Sequence, residues 1–330
     1  MSLSAARGLR LSQLAHRGRL SPQLPKLLAA SQHRDVNLVR PTARITARPS
    51  TARGFASGTS SPARATTKDQ PKIKLYWLND SRAQNTLWLL EELGLKYSVQ
   101  VFHRDATRLA PPELAQVHPL GKAPVLEITP AAAGAAPIRL AESGHITQYL
   151  LEHFGRNKPS LIPEKWRDGH EGEVGGETEA YARFSYLMHY VEGSFFANLS
   201  QYLLVNVLKS SNVPFLIRPI TGTVADKINS IVFLPNSQKH LSFLENYLKT
   251  APGVQNADGY LCGPELSAAD ILISFGLATA DGLNAFDKMG PWEGGSARAA
   301  HPVVFAYLDR LKKQPGYIRA SEKAKEMERK

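Results

Sequence analysis

The chain of 330 residues contains a single cysteine, Cys262. One thiol excludes a disulfide bond within the chain and any metal site built from several cysteines, and we expect no bound metal. Cys262 stands just before a predicted helix, where we expect a buried thiol that packs as a small hydrophobic side chain. A catalytic nucleophile is the alternative.

The sequence also lacks a hydrophobic run long enough to cross a bilayer, which needs about 18 apolar residues. The longest candidate, residues 271–280, contains Ser274, Gly276 and Thr279 and therefore predicts a helix of the protein core. With 43% hydrophobic residues, the chain is long enough for two modest globular domains.

Acidic residues are nearly absent from the first 55 positions, which hold ten lysines or arginines and one acid, Asp35. Ten positive charges less one negative charge place +9 of the net +11 in this segment, and only +2 in the other 275 residues. A nucleic-acid-binding domain carries its positive charge on the folded surface, so this distribution argues against a nucleic-acid partner.

The same segment is rich in Arg, Ser and Ala, the composition of a mitochondrial transit peptide. Arg53 and Phe55 form an Arg-x-Phe pattern similar to the one that the matrix processing peptidase cuts. We therefore predict a transit peptide over residues 1–55, a mature start near Ala56 and a mitochondrial, matrix location. An uncleaved tail and a cytoplasmic or ER-associated location are the alternatives. Residues 56–71, rich in Ser, Thr, Pro and Gly, are typical of a linker.

Hydrophobic periodicity predicts strands and helices in the first folded part of the chain and helices alone in the second. Residues 72–155 have the order βαβ followed by ββα, which fits a small mixed sheet covered by helices. The stretch 155–163 is the predicted domain boundary, and residues 164–330 form a predicted all-helical domain. Strands are predicted at 73–78, 97–103, 125–128 and 138–140, and helices at 82–93, 111–116, 143–154, 177–209, 224–249, 267–282 and 302–314.

Ser267 and Asp270 stand at the start of one predicted helix with the spacing of a capping box, in which each side chain accepts a hydrogen bond from the other residue's backbone N–H. Leu266 and Ile271 are placed to pack against each other across this start. Because loss of such a cap costs about 1 kcal/mol, we expect the motif to be structural.

Pro124 follows Ala123 immediately before an apolar strand, an unusual position because proline cannot donate a hydrogen bond to a sheet. A cis Ala123-Pro124 bond would present the N–H and C=O of Ala123 to a short extended peptide, which would pair with them as an added strand. A trans bond in an edge strand is the alternative.

Glu142 and Ser143 stand 15 residues downstream of this strand segment, where Ser143 opens the apolar pattern of the next helix. The unpaired N–H groups of that helix start are suited to hold a carboxylate, although Ser143 as a plain helix cap is the alternative. Together with the proline turn, the pair predicts a binding site for a small peptide.

These segments resemble the thioredoxin-like domain of the glutathione S-transferase family. The resemblance includes the Ser-Arg-Ala turn at 81–83, the helix at 84–95, the Arg-Asp-Ala stretch at 104–106 and the Pro-Pro-Glu-Leu stretch at 111–114. It is most similar to the fungal serine-type branch and covers the chain from residue 73 to the C-terminus. It implies an α/β thioredoxin-like N-terminal domain followed by an all-α C-terminal domain, a homodimer, and reduced glutathione as co-substrate with no permanently bound cofactor.

The resemblance also implies a hydroxyl donor that keeps the sulfur of bound glutathione ionised. Ser81, where the first strand meets the first helix, matches the serine of the serine-type classes and is the predicted catalytic residue. The alternative is that Ser81 only caps the helix. Tyr76, near the end of the strand, is the rival donor because tyrosine-type classes place theirs there; its alternative is a core aromatic.

Glutathione is expected to be bound by the Ala123 backbone and Pro124 at its cysteinyl part, by Glu142 and Ser143 at its γ-glutamyl end, and by Lys122 at its glycine carboxylate. Arg104 and Arg108 are expected to assist in binding glutathione; the alternative is that they are solvated surface charges.

The electrophile is expected to bind between the two domains. The residues predicted to line the electrophile pocket are Tyr186, His189 and Tyr190, with Phe196 nearby. The alternative is that these aromatic side chains belong to the hydrophobic core.

The implied function is conjugation of glutathione to hydrophobic electrophiles, in detoxification or oxidative stress. A glutathione-dependent peroxidase on the same scaffold is one alternative, and the absence of a cysteine in the first turn argues against disulfide exchange by an enzyme thiol. A non-catalytic transferase-like module for binding or assembly is the other.

Overall fold

A computed structural model describes residues 70–329 of the chain. The predicted transit peptide and nearly all of the predicted linker lie outside these residues, so both stay predictions.

Residues 72–154 form a four-stranded mixed sheet with helices, as the sequence predicts. The sheet has the order β2-β1-β3-β4, in which β1 pairs with β2 in parallel and with β3 antiparallel, and β3 pairs with β4 antiparallel. The elements are β1 (Lys72–Leu78), α1 (Ala83–Glu92), β2 (Tyr97–Phe102), α2 (Leu114–Val117), β3 (Val125–Thr129), β4 (Ile138–Ala141) and α3 (Ser143–Phe154).

Helix α1 is buried in the core of the protein. Its run Leu87-Trp88-Leu89-Leu90 is buried on all sides, because the sheet covers one face and later helices cover the other. Two residues after the end of the helix, Gly94 takes a φ of 62° that lets the chain turn back, and the N–H of Leu95 donates to the carbonyl of Leu90 at 3.1 Å.

The second half of the chain is helical, as predicted, with short 3-10 turns over 155–161 at the predicted boundary. No helix within residues 70–329 is long and apolar enough to cross a membrane. The helices are α4 (Glu179–Tyr190), α5 (Phe196–Asn206), α6 (Arg218–Ile228), α7 (Leu234–Lys249), α8 (Ala268–Gly282), α9 (Ala285–Met289), α10 (Ala297–Ala300), α11 (Pro302–Lys312) and α12 (Pro315–Glu328).

Three differences from the predicted helices have physical reasons. The helix predicted over 177–209 is divided by a π-helical turn, Val191–Phe195, whose inserted residue shifts the phase of the side chains that follow. The segment predicted over 224–249 begins earlier, at Arg218, where Pro219 fits the first turn. Helix α12 is not predicted, because the face it buries consists mostly of small residues, and small side chains give a weak hydrophobic period: Gly316, Ala320, Ala324 and Met327.

The predicted capping-box residues stand at the start of α8, where the Ser267 hydroxyl donates to the Asp270 carboxylate and the Asp270 N–H bonds to the Ser267 carbonyl. The Asp270 carboxylate is wholly buried and accepts from the Ser267 N–H at 2.8 Å, the Ser267 hydroxyl at 2.6 Å, the Leu261 N–H at 3.0 Å and the Tyr307 hydroxyl at 2.7 Å. Cys262 beside it is 2% exposed, and burial raises the pKa of its thiol well above the ordinary value. The expected burial of the Cys262 thiol is confirmed.

The two halves are joined by a buried polar bridge between α1 and α8. The Asn85 side-chain amide donates to the Leu272 carbonyl at 2.7 Å, and the Ser274 hydroxyl donates to the Asn85 side-chain oxygen at 3.1 Å. Because these groups are buried, they fix how α1 lies on the helical half. The turn before α1 is thereby held at a defined distance from the helices that face it.

Candidate active site

A cavity of about 210 Å³ lies where the β1–α1 turn faces the helical half. One wall comes from the sheet side, with Ser81, Lys122 and Ala123, and the opposite wall carries the rings of Phe196 on α5 and Phe275 on α8. The remaining lining residues are Leu78, Asp80, Arg82, Arg104, Ala110 and Gly121. The cavity therefore combines polar groups from one domain with apolar groups from the other.

Ser81 is 8% exposed and lies at this cavity, between the end of β1 and the start of α1. Its hydroxyl accepts from the Ala83 N–H at 3.2 Å and donates to the Leu78 carbonyl at 2.7 Å. It therefore supports the helix start, as the capping alternative proposed, and it also faces the cavity. Since a hydroxyl rotates, its one proton is able to leave the carbonyl for a sulfur in the cavity.

Tyr76 is 4% exposed and is absent from the linings of this cavity and its neighbour. Its hydroxyl donates at 3.1 Å to the carboxylate of Glu127, which also accepts from Arg139 at 2.7 Å. The hydrogen bond from Arg139 is the main reason that the pKa of Glu127 is lowered. The structure thus places the rival donor in a polar cluster away from Ser81, and the geometry favours Ser81.

The peptide bond between Ala123 and Pro124 is cis, the form that the interpretation as a peptide-binding turn requires, and the trans alternative is excluded. Lys122 before it is exposed, and Gly121 takes a φ of 57° in the turn that leads into it. A second, narrower cavity of about 10 Å³ continues from this turn to the start of α3. Its lining brings together the predicted glutathione-binding residues with parts of the neighbouring loops: Arg82, His118, Leu120, Lys122, Ala123, Pro124, Ala141, Glu142 and Ser143.

Glu142 and Ser143 occupy the far end of this narrow cavity. Glu142 is exposed and has a φ of 70°, an uncommon conformation for a residue other than glycine, while its carbonyl accepts the Ile146 N–H at 2.9 Å. Ser143 is 1% exposed, and its hydroxyl has no hydrogen-bond partner within residues 70–329. A buried hydroxyl without a partner is uncommon and costs free energy.

Arg104 lies in the cavity wall, but the structure uses its guanidinium locally. Its side chain donates to the carbonyls of Asn79 at 3.2 Å, Asp80 at 3.2 Å and Arg108 at 2.9 Å. Burial is the main cause that lowers its pKa. These bonds hold the turn that carries Ser81, so Arg104 positions the predicted donor. Arg108 is exposed and pairs with Asp80 at 2.9 Å.

The predicted electrophile pocket needs correction, because Tyr186, His189 and Tyr190 do not line the cavity. Tyr186 and Tyr190 lie on the face of α4 that packs against α7, where their rings stand 5.7 Å and 5.0 Å from that of Phe243. The Tyr190 hydroxyl is bonded to His240 at 2.7 Å. The cavity is instead faced by Phe196, which follows the π-helical turn, and by Phe275, which the sequence analysis did not single out.

A second group missed by the sequence analysis is an ion pair between Arg82 and Glu192. Arg82 lines both cavities, its guanidinium lies 5.1 Å from the centre of the Phe196 ring, and Glu192 belongs to the π-helical turn after α4. Burial raises the pKa of Glu192, and the charge of Arg82 opposes that rise. The two residues are 110 positions apart, and no local pattern marks them as partners.

A thioredoxin-like sheet with a cis-proline turn, followed by an all-helical half that faces its first helix, defines the class of glutathione-transferase folds. The family model for the N-terminal domain of glutathione S-transferases matches residues 71–152. No cluster of three or more metal-binding side chains occurs in the described part of the chain.

Two known glutathione S-transferases are similar in sequence to this chain. Glutathione S-transferase 1 of Saccharomyces cerevisiae is 33% identical over 255 residues, which is 77% of this chain and 96% of that protein. Glutathione S-transferase 3 of Schizosaccharomyces pombe is 28% identical over 205 residues, 62% of this chain and 72% of that protein. The chain belongs to the glutathione S-transferase family.

Solved structures show the same fold. A glutathione S-transferase from Actinobacillus pleuropneumoniae has a TM-score of 0.52 with 28% identity and covers 77% of this chain and 93% of its own. The glutathione transferase URE2P5 from Phanerochaete chrysosporium has a TM-score of 0.54, covers 79% of this chain and 97% of its own, and at 16% identity supports the fold alone.

Proposed function

We propose that this protein conjugates reduced glutathione to hydrophobic electrophiles, with Ser81 as the residue that stabilises the glutathione thiolate. The observation that carries the proposal is the cavity in which Ser81, Lys122 and Ala123 face Phe196 and Phe275 across the domain boundary. A polar wall of this kind is suited to a peptide thiol, and an apolar wall to an electrophile.

The energy required for thiolate formation is within reach of one hydroxyl and its surroundings. An ordinary thiol has a pKa of about 8.5, and lowering it by two units takes about 2.7 kcal/mol. A hydrogen bond to a charged group contributes about 1.5–3 kcal/mol. The start of α1 adds a favourable field at the same place.

The remaining glutathione contacts are assigned along the two connected cavities. The Ala123 backbone and Pro124 would hold the cysteinyl part, Lys122 the glycine carboxylate, and Glu142 with Ser143 the γ-glutamyl end. The shared lining of the cavities supports this order, because Lys122 and Ala123 belong to both.

Two other functions on this scaffold are less well supported. A peroxidase that used an enzyme thiol would need a cysteine at the cavity, whereas the chain's one cysteine is buried before α8. A peroxidase that used only the thiolate of glutathione remains compatible with the site. A non-catalytic binding module has no need for a serine held between Leu78 and Ala83 at the cavity wall.

The test is retention and turnover by the same preparation. Full-length protein should bind immobilised glutathione and convert a generic aromatic chloride, 1-chloro-2,4-dinitrobenzene, to its glutathione conjugate. Retention without turnover of this substrate or of an organic hydroperoxide would support a binding module. Absence of both retention and turnover would contradict the proposal.

We also propose a homodimer and a mitochondrial, matrix location. Exposed apolar side chains on the segment from α5 to α6 support an interface, because such surfaces mark association sites: Leu204 at 71%, Phe215 at 75%, Leu216 at 78% and Ile220 at 68% exposure. Light scattering during size-exclusion chromatography measures the mass in solution. Import into isolated mitochondria, followed by sequencing of the new N-terminus, tests the location and the start near Ala56.

A further inference from the structure

A third cavity, here called the distal cavity, lies in the helical half at the C-terminal end of α5. Its volume of about 320 Å³ exceeds that of the cavity beside Ser81. The lining comes from the end of α5, the turn that follows it and the segment after α8: Tyr202, Leu203, Asn206, Lys209, Ser210, Leu283, Ala285 and Lys288. None of these residues belongs to the predicted site.

The distal cavity lies along the same two helices as the cavity beside Ser81. Phe196 on α5 and Phe275 on α8 face the cavity beside Ser81, and their ring centres are 5.9 Å apart. Leu203 and Leu283, seven and eight residues further along the chain, line the distal cavity together. Helices α5 and α8 therefore run in the same direction, and at a rise of about 1.5 Å per residue the two cavities are about 10–12 Å apart.

The surface between the two cavities is open to water. Ser200 on α5 and Thr279 on α8 each stand four residues after the phenylalanine of their helix, and residues at this spacing share one face of a helix. Ser200 is exposed and Thr279 is half-buried. An extended apolar chain that leaves the cavity beside Ser81 along these two helices would reach the distal cavity.

The charged side chains that line the distal cavity are both lysines. Lys209 is paired with Asp226. Within residues 70–329, Lys288 makes no ion pair, and its ammonium donates one hydrogen bond, to the Leu283 carbonyl at 2.8 Å. Because an ammonium group has three N–H donors, Lys288 keeps two for a ligand. An apolar cavity with such a group is suited to the carboxylate end of an apolar chain.

We propose that the distal cavity binds the carboxylate end of amphipathic electrophiles, with Lys288 as the main contact, while the reactive carbon of the same molecule lies beside Ser81. This inference rests on the proposed function and names a substrate class for it. The class consists of electrophiles whose unbranched chain matches the distance between the two cavities and ends in a carboxylate.

An α,β-unsaturated aldehyde with such a chain illustrates the reaction. The glutathione sulfur forms a bond to the β carbon, and the π electrons of the carbon–carbon double bond move toward the carbonyl oxygen. The resulting enolate takes a proton from water at the α carbon, which replaces the proton that the thiol gave up. The product is a saturated aldehyde joined to glutathione by a thioether bond.

The test compares the acid and the methyl ester of such an aldehyde at two chain lengths. In (E)-12-oxododec-10-enoic acid the carboxylate stands nine bonds from the reactive carbon, and in (E)-6-oxohex-4-enoic acid it stands three bonds away, too near to reach the distal cavity. With full-length protein and saturating glutathione, kcat/KM for the long acid should exceed that for its ester by at least about 10-fold, a difference of about 1.4 kcal/mol. The short acid and its ester should differ by less than about twofold.

Substitution of Lys288 should remove the preference for the long acid. Lys288→Gln should lower kcat/KM for the long acid by about 10-fold and bring the ratio of acid to ester close to one, since the ester has no charge for Lys288 to bind. Lys288→Arg keeps the positive charge and should keep most of the ratio. Lys325→Gln, the same change on the exposed surface of α12, is the matched control and should leave the ratio as in the wild type.

A wild-type ratio near one for the long acid would overturn the inference. So would a ratio that Lys288→Gln leaves unchanged, or equal losses with the acid and the ester, which would show a merely structural role for Lys288. In each of these cases, turnover of 1-chloro-2,4-dinitrobenzene by the wild type would still support the proposed function. Absence of glutathione binding and of turnover with every substrate would overturn both.

Discussion

Two helices of this protein begin near a serine that has an acidic residue close by in the sequence, and the two serines differ in their hydrogen bonding. At the start of α8, Ser267 and Asp270 bond to each other, and Asp270 receives further hydrogen bonds from Leu261 and Tyr307. At the start of α3, the hydroxyl of Ser143 has no partner in the described region, and Glu142 is exposed with a φ of 70°.

The difference separates a folding motif from a candidate binding site. When all the polar groups at the start of a helix are hydrogen-bonded, they stabilise the fold and leave no free donor or acceptor for a ligand. A start with buried, unsatisfied groups and an uncommon backbone conformation is stabilised when a ligand supplies the missing bonds. Similar residues therefore differ in role because of their surroundings.

The largest expected effect is a loss of stability at the start of α8, where Asp270 accepts several buried hydrogen bonds. Asp270→Ala leaves buried donors of Leu261, Ser267 and Tyr307 without their acceptor, and each such donor costs about 1–3 kcal/mol. We expect the free energy of unfolding to fall by at least about 3 kcal/mol, measured by urea denaturation. Asp270→Asn, which keeps the shape and one acceptor, should lose less. A loss below 1 kcal/mol for Asp270→Ala would remove the contrast between the two helix starts.

The next effect concerns the donor at the cavity. Ser81→Ala should reduce conjugation at pH 7 by about 10–100-fold, because each unit by which the thiol pKa rises lowers the thiolate fraction up to tenfold. Tyr76→Phe, which removes a hydroxyl bonded to Glu127, should change the rate by less than about threefold. Steady-state kinetics with saturating glutathione measure both. The reverse result would make Tyr76 the donor.

A matched pair of serine substitutions tests the comparison directly. Ser267→Ala removes a cap and should cost about 1 kcal/mol of unfolding free energy with an unchanged KM for glutathione. Ser143→Ala removes an unpartnered hydroxyl and should leave stability within about 0.5 kcal/mol while raising that KM about fivefold. Equal stability losses in both variants would contradict the distinction.

The smallest expected effect is a pH dependence at the other end of α1. Burial alone would raise the pKa of Glu91, but hydrogen bonds from Lys323 and Tyr97 hold it below the ordinary value. A carboxyl with a lowered pKa stabilises the fold above its unfolded pKa, and this contribution is lost as the pH falls through the folded value. Glu91→Gln should therefore flatten the acid limb of stability by less than about 1 kcal/mol, measured by thermal unfolding between pH 3 and 6.

Residues close in sequence account for what could be predicted. The cis-proline turn, the capping box and the sheet depend on local spacing or strand periodicity, and each is present. The ion pair between Arg82 and Glu192 and the approach of Phe275 to the cavity depend on tertiary packing, which one sequence does not reveal. Tyr186 and Tyr190 were misplaced for a related reason, since helical spacing shows that residues share a face but not what that face meets.

The ultraviolet absorbance of the thiolate of bound glutathione, followed against pH, tests the central claim most directly. The account predicts that the thiol pKa in the wild-type complex lies about one to two units below the ordinary value near 8.5, and that Ser81→Ala returns it most of the way. A wild-type complex that titrates near 8.5, or a lowered pKa that Ser81→Ala leaves unchanged, would contradict it.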